Sequence, residues 1–341
     1  MSESLKETWS RSFKIGAAVN GGIIAQKEAD EIIKKHFCSL TVENGMKLGL
    51  IHPQENEFEW DECDLIADYA RKNGFVMRGH TMVWHNQNPE WLFTDGNDTV
   101  SKNKLFKRLE EHINTVTQRY NDIIYAWDVL NEIIDTEKGD ENNFRISNWY
   151  KICGKEIYDF AFKCMKQASP KAKLFLNDYN NESGSKLDAT VKYLTSLLDA
   201  GIPVDGVGMQ GHWYYNFPDE KTLRNAIERY SALGLEIEFT EVDISVYEWP
   251  EAREKNEFFT ARPEDRILKQ AKIYYDFFTI ASEYPNVKNI TTWGVSDSYT
   301  WLDDFPVPGR KNWPLLFDEQ YREKPVVADL IKAGKRQRAL P

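Results

Sequence analysis

The chain has 341 residues, 41% hydrophobic and 28% charged, the make-up of a soluble globular protein with a sizeable core. Its 43 Lys and Arg against 54 Asp and Glu leave a net charge of −11 at pH 7, which repels phosphate backbones and excludes nucleic acid and anionic lipid as natural partners. No segment approaches the run of about 18 apolar residues that spans a membrane, and the opening "MSESLKETWSRSF" lacks the apolar stretch of a secretory signal, so the chain reads as cytoplasmic and without membrane contact.

In chain order, residues 1–12 predict a short lead-in helix, and "FKIGAAVN" (13–20) is the first β-like run. "AQKEADEIIKKHF" (25–37) follows with apolar residues at helical spacing. "SLTVEN" (39–44) is the second run; a long polar connection and the helical "DECDLIADYARKNG" (61–74) lead to the third, "FVMRGHTMVW" (75–84). The amphipathic "VSKNKLFKRLEEHINTVTQRY" (100–120) precedes the fourth, "IIYAWDVLNE" (123–132). A helix over "YKICGKEIYDFAFKCMKQASP" (150–170) stops at Ser169 and Pro170, and "AKLFLNDYN" (172–180) is the fifth strand. "KLDATVKYLTSLLDAGIP" (186–203), capped by Gly201, leads to a sixth strand, "VDGVGMQGHW" (204–213). "DEKTLRNAIERYSALG" (219–234) leads to the seventh, "LEIEFTEVDI" (235–244), and "RPEDRILKQAKIYYDFFTIASEYP" (262–285) to the eighth, "VKNITTWGVSD" (287–297). A last helix around "KPVVADLIKAGKR" (324–336) closes the series.

Eight strand-and-helix units in strict alternation, with no low-complexity linker, predict an α/β fold. The economical form is a single (β/α)8 TIM barrel, with 1–341 as one catalytic domain. A doubly wound open sheet is the structural alternative, disfavoured because no Gly-rich phosphate fingerprint follows any strand. Cys38, Cys63, Cys153 and Cys164 have no CxxC spacing and read as reduced structural thiols. A metal-dependent hydrolase on this fold would carry an HxH after the first strand; none is there, and no metal or other cofactor is expected. The 11 tryptophans fit a site that stacks on pyranose rings, with a Trp-rich core as the plainer reading.

In such a barrel the site forms at the carboxyl ends of the strands. Polar residues fall there on seven of the eight runs: Glu43 and Asn44, His80 and Trp84, Asn131 and Glu132, Asn177 to Asn180, Gln210 and His212, Glu241 and Asp243, Trp293 and Asp297. Glu132 and Glu241, each placed where a strand should end, would then share one cleft. Two acids so placed are an acid and a nucleophile for breaking glycosidic bonds, although either alone reads as readily as a solvated strand-end carboxylate. Glu132, kept protonated by its partner's charge, would protonate the departing oxygen, and Glu241 would stay ionised and attack the anomeric carbon. Asn131 offers donor and acceptor to a sugar hydroxyl, and His212, oriented by Asp243, would hold the nucleophile ionised.

"TVENGMK", "RGHTMVWHNQNPEW", "WDVLNE", "FLNDYN", "MQGHW", "EFTEVDI" and "TTWGVSDSYTWL" resemble, in order, the strand-end motifs of family 10 glycoside hydrolases, the endo-β-1,4-xylanases, and among them the members without a signal peptide. The resemblance implies retaining double-displacement hydrolysis of β-1,4-xylosidic bonds, in imported xylo-oligosaccharides or xylan. It assigns the acid/base role to Glu132 and the nucleophile role to Glu241, and gives Asn131 the sugar 2-hydroxyl at subsite −1. Lys47, His80, Trp84, Gln210 and His212 then line that subsite, Glu43, Asn44 and Gln87 form the polar floor of subsite −2, and Trp293 and Trp301 wall both. A Trp301 packed over C5 leaves no room for the C6 hydroxymethyl that glucose has and xylose lacks. The chain departs from the pattern at Gly45 and Leu48, where a larger residue and an aromatic are usual, and at Val242, where Leu is usual. The loops 245–263 and 303–312 are those whose lengths vary in such proteins. The competing readings are an exo-acting or β-1,4-glucan-active glycosidase of the same clan, and a carbohydrate-binding protein without catalysis; Trp301 argues against the glucanase and the two carboxylates against the binding protein.

Overall fold

The computed structural model describes residues 3–248 and 258–338, so residues 249–257 of the loop 245–263 lie outside the described residues. Among the described residues, eight barrel strands alternate with eight main helices: β1 (Lys14–Val19), α1 (Lys27–His36), β2 (Ser39–Val42), α2 (Asp61–Asn73), β3 (Val76–Trp84), α3 (Lys102–Tyr120), β4 (Ile124–Asn131) and α4 (Glu156–Ala168) come first. Then follow β5 (Lys173–Asp178), α5 (Gly184–Asp199), β6 (Gly206–Met209), α6 (Glu220–Ser231), β7 (Glu236–Ser245), α7 (Glu264–Ser282), β8 (Val287–Thr292) and α8 (Pro325–Arg338). The strands are hydrogen-bonded in the order β8-β1-β2-β3-β4-β5-β6-β7, and β7 pairs back onto β8. This closed order is the expected (β/α)8 TIM barrel. β2 and β6 are buried at every residue and the other strands nearly so, as parallel strands covered on both faces must be.

The described residues form two compact units, one within Met1–Leu40, Gln210–Glu228 and Ile237–Pro341, the other within Thr41–Met209 and Arg229–Glu236. In the second unit, β3, β4, β5 and β6 pair in parallel. Gly79 is dictated by its neighbour: a Cβ there would lie 1.9 Å from the Trp127 ring, itself fully buried. Helix α3 starts where the Ser101 side chain accepts the Lys104 N–H, and it buries Leu105, Leu109, Ile113, Val116 and Tyr120 along one face. Each such side chain contributes about 1.5–3 kcal/mol when fully buried. In the first unit, Trp213, Phe239 and Phe277 meet edge to face at 4.5–5.9 Å, and a buried ion pair, Lys324 Nζ to Asp297 at 2.6 Å, ties the loop after β8 to the start of α8.

Four expectations need correction. The lead-in helix covers only Leu5–Thr8, with Ser4 as its cap. The helix expected over 150–170 is two, Asn148–Cys153 and α4, because Gly154 takes φ 63° between them. The sixth run breaks after Met209: Gly211 turns at φ 78°, and His212–Tyr214 forms a separate short strand alongside the end of β7. The seventh run does not end at Glu241 but continues to Ser245. Among the described tryptophans, Trp9, Trp127, Trp149, Trp213 and Trp313 are buried. All four cysteines are free thiols.

Candidate active site

Glu241 lies inside β7 at an irregularity. Phe239 pairs with Ile290 and Val242 with Thr292, so three steps of β7 span two of β8. Such a bulge re-aims the side chains beside it. The Glu241 N–H donates to the Gln210 carbonyl at 2.8 Å, and Asp243 pairs with His212 of the short strand. Glu241 and Asp243, two residues apart, both reach His212: its Nε2 is 3.2 Å from Glu241 Oε2 and its Nδ1 is 3.0 Å from Asp243 Oδ2. Burial alone would lower the His212 pKa, but the two carboxylates prevail and push it up to about 10, so the ring is an imidazolium donating from both nitrogens at neutral pH. Asp243 Oδ2 also accepts the Trp301 indole N–H at 2.7 Å. The Trp301 and Trp293 rings stand edge-on to His212, at 5.0 and 6.4 Å. Gln210, His212, Glu241, Asp243, Trp293 and Trp301 thus belong to one connected group in the first unit.

Glu132 follows β4 directly and has φ 56°, a left-handed backbone that costs a non-glycine residue about 1–3 kcal/mol. Two hydrogen bonds hold it there: its N–H donates to the Asn177 carbonyl at 2.9 Å, and its own carbonyl accepts Arg145 Nε at 2.7 Å. In a regular strand Asn131 and Glu132 would point to opposite faces. The left-handed turn brings them to one side, where Asn131 Nδ2 lies 3.4 Å from Glu132 Oε1 and Asn177 Nδ2 donates to Asn131 Oδ1 at 2.9 Å. His85 Nδ1 stands 3.6 Å from Glu132 Oε2, and burial keeps this histidine below its ordinary pKa against the pull of Glu132. Arg145 also pairs with Asp135 at 3.1 Å and donates to the Tyr179 hydroxyl at 2.8 Å. Lys186 Nζ reaches Asp178 Oδ1 at 2.7 Å and sits 3.4 Å from the Tyr179 ring centroid. Burial lifts the Asp178 carboxyl to about 6 despite that lysine, with the Glu132 charge pushing the same way.

A third group follows β2 and β3 in the second unit. Lys47 Nζ donates to Asn44 Oδ1 at 2.8 Å and lies 4.9 Å from the Trp84 ring centroid. Trp84 buries its indole N–H with no acceptor, a donor that a ligand hydroxyl would satisfy. Asp128 accepts Arg78 through both oxygens, at 2.8 and 3.0 Å, and His80 Nδ1 at 2.9 Å, all of them buried. Burial would raise Asp128, but Arg78 and His80 outweigh it and hold the carboxyl ionised, which fixes the His80 ring. Glu43 is buried, whereas Gln87 is exposed, its carbonyl accepting the Gly49 N–H at 2.7 Å. The departures at Gly45 and Leu48 have local reasons: a Cβ at Gly45 would come within 2.6 Å of Glu62 Oε2, and Leu48 is buried. No three His, Cys, Asp or Glu among the described residues are grouped to hold a metal ion.

The sequence reading missed His85, Arg145, Asp178 and Tyr179 as individual neighbours of Glu132. His85, Asp178 and Tyr179 stand inside motifs already singled out, whereas Arg145 arrives from a loop 13 residues downstream with no signal of its own.

The sequence model for glycosyl hydrolase family 10 matches residues 4–333. Endo-1,4-beta-xylanase A of Caldicellulosiruptor saccharolyticus is 46% identical over 96% of this chain and 95% of its own length, and endo-1,4-beta-xylanase B of Paenibacillus barcinonensis is 43% identical over 94% and 95%. Among solved structures, an endo-1,4-beta-xylanase from Caldicellulosiruptor owensensis superposes with a TM-score of 0.93 at 44% identity, covering 97% of this chain and 99% of that one. A mutant protein in complex with xylotriose matches with a TM-score of 0.92 at 43% identity, over 97% and 99% of the two chains.

Proposed function

The chain belongs to glycosyl hydrolase family 10 and is a glycoside hydrolase, and we propose that it cleaves β-1,4-xylosidic bonds internally with retention of configuration. In this reading 1–341 is one catalytic domain and Glu132 and Glu241 act on the same bond. Glu132 gives its proton to the glycosidic oxygen while a Glu241 carboxylate oxygen attacks the anomeric carbon; the C1–O bond breaks and a glycosyl ester forms. Glu132, now ionised, takes a proton from water, the water oxygen attacks C1, and Glu241 departs as carboxylate. The observation that carries the assignment is the His212 imidazolium bridging Glu241 and Asp243, since it favours the ionised form that a nucleophile requires. Glu132 has a different support, a fixed backbone and an amide beside its carboxyl, which suits a group that must lose and regain a proton.

Asn131 takes the sugar 2-hydroxyl, Lys47, His80, Trp84, Gln210 and His212 line subsite −1, and Glu43, Asn44 and Gln87 serve subsite −2. Trp293 and Trp301 provide the aromatic walls, Trp301 excluding the C6 hydroxymethyl. The working substrates are proposed to be imported xylo-oligosaccharides in the cytoplasm. A solved relative carrying xylotriose supports a short ligand, and no helix among the described residues is long and apolar enough to cross a membrane. Activity found in the culture medium instead of the soluble lysate would overturn that location.

Time-resolved product analysis on unbranched xylohexaose, with cellohexaose alongside, tests the function. Internal cleavage of the xylose chain alone is expected. Single xylose units released from one end would make it exo-acting, cleavage of cellohexaose would make it a glucanase, and no cleavage of either would leave a binding protein.

A further inference from the structure

Trp301 sits in a short segment of chain. It begins a single 3-10 turn, Trp301–Asp303, secured by the Thr300 hydroxyl accepting the Leu302 N–H at 3.3 Å. Its indole N–H donates to Asp243 at 2.7 Å and its ring meets His212 edge-on at 5.0 Å, and neither contact lies flat against the indole to fix its tilt about the N–H···O axis. Phe305 adds a face-to-face contact. Its ring stacks on Trp301 with centroids 4.8 Å apart and planes 22° from parallel, while its side chain remains 41% exposed. A phenylalanine left in that position is not there to fill the core.

The loop that carries Phe305 is pinned on both sides. Lys311 Nζ joins the Asp303 carboxylate at 2.8 Å and the Asp297 carbonyl at 2.7 Å, the Asn312 N–H donates to Asp303 Oδ1 at 2.8 Å, and the Gly309 N–H donates to Asp304 Oδ1 at 3.0 Å. Phe305 is therefore presented to Trp301 from a fixed base.

We infer that Phe305 is a specificity-determining positioning residue: by bracing the plane of Trp301 it sets how much room remains over C5 of the bound sugar, and so the preference for xylose over glucose. The inference rests on the proposed role of Trp301 as a glycone wall. Without the stack the indole rocks on its Asp243 bond, and a hydroxymethyl group gains space. Asp243 also holds His212, so the same rocking reaches the hydrogen bonds around Glu241, but its first expression is in selectivity.

The test compares kcat/KM for an aryl β-xylobioside and the matching aryl β-cellobioside in the wild type, F305A, F305Y and W301A. F305A is expected to lower the xylose-to-glucose ratio about tenfold, the scale on which a pocket discriminates one methylene-sized group. The change should fall mainly in KM, F305Y should restore the ratio, and W301A should lower it at least as far. An unchanged ratio in F305A, or equal losses on both substrates that F305Y does not restore, overturns the brace. A lowered ratio in W301A with F305A unchanged overturns the brace alone, whereas a wild type without preference overturns the wall on which it rests.

Discussion

Glu241 shares one imidazolium with Asp243, whereas Glu132 is reached by the Asn131 amide and the His85 ring and is held through its main chain. His212 is clamped between two carboxylates and takes a third fixture through Trp301 on Asp243, so at neutral pH a positive charge stands beside Glu241. At Glu132 the strain lies in the main chain: a left-handed residue is held by Asn177 and Arg145, and the carboxyl itself is approached by Asn131 at 3.4 Å and by His85 at 3.6 Å, whose pKa burial lowers. The contrast follows the proposed chemistry. A group that must remain ionised is given a counter-charge, while a group that must cycle its proton is given position.

The largest effect that would break this comparison is at Glu241. Glu241→Ala should lose at least about 10^4-fold in kcat on every substrate, natural or activated, and azide should restore turnover with a product of inverted configuration. Retained configuration in the azide product would remove Glu241 from that role. Glu132→Ala should lose about 10^2 to 10^4-fold on xylo-oligosaccharides but far less on aryl glycosides with good leaving groups, because these need little protonation. Equal losses on both kinds of substrate would count against an acid.

The counter-charge is tested at His212. Removing it leaves two buried carboxylates facing each other, and His212→Asn should lower kcat/KM about 10^2-fold. Its pKa is raised on folding from 6.5 to about 10, so the stability it contributes is fully present below pH 6.5 and is lost as pH rises through 10. Melting temperatures at pH 7, 9 and 10.5 should therefore fall more steeply for the wild type than for the variant; parallel curves would show that the imidazolium is not held. The smallest effect is at Arg145. Arg145→Ala should reduce kcat on unactivated oligosaccharides about tenfold, with aryl glycosides nearly unaffected and the fold intact. A loss that does not depend on the leaving group would mean that Arg145 supports the chain generally and not the acid.

Much of the barrel was legible because period and alternation depend only on which residues are apolar, and each of the eight units kept its place. What could not be read was where a strand is bent. Glu241 looks terminal because carboxylates interrupt the apolar run, yet β7 continues to Ser245, since the short His212–Tyr214 strand supplies partners that no local pattern announces. Gly211 and Gly154 carried the breaks in plain view, but a glycine does not declare its φ until its neighbours are placed. In the candidate site, the pairing of His212 with Asp243 and Glu241 was anticipated from spacing and chemistry. Arg145 was not, because it reaches Glu132 through a backbone carbonyl, and a main-chain acceptor leaves no trace in the sequence.

The most direct measurement is proton NMR of a xylohexaose digest in its first minutes, before mutarotation, reading the configuration of the newly formed reducing ends. Double displacement through Glu241 predicts that the β anomer appears first and the α anomer grows in later. An α anomer formed first would mean that water attacks the sugar directly, and the division of labour drawn between Glu241 and Glu132 would be wrong.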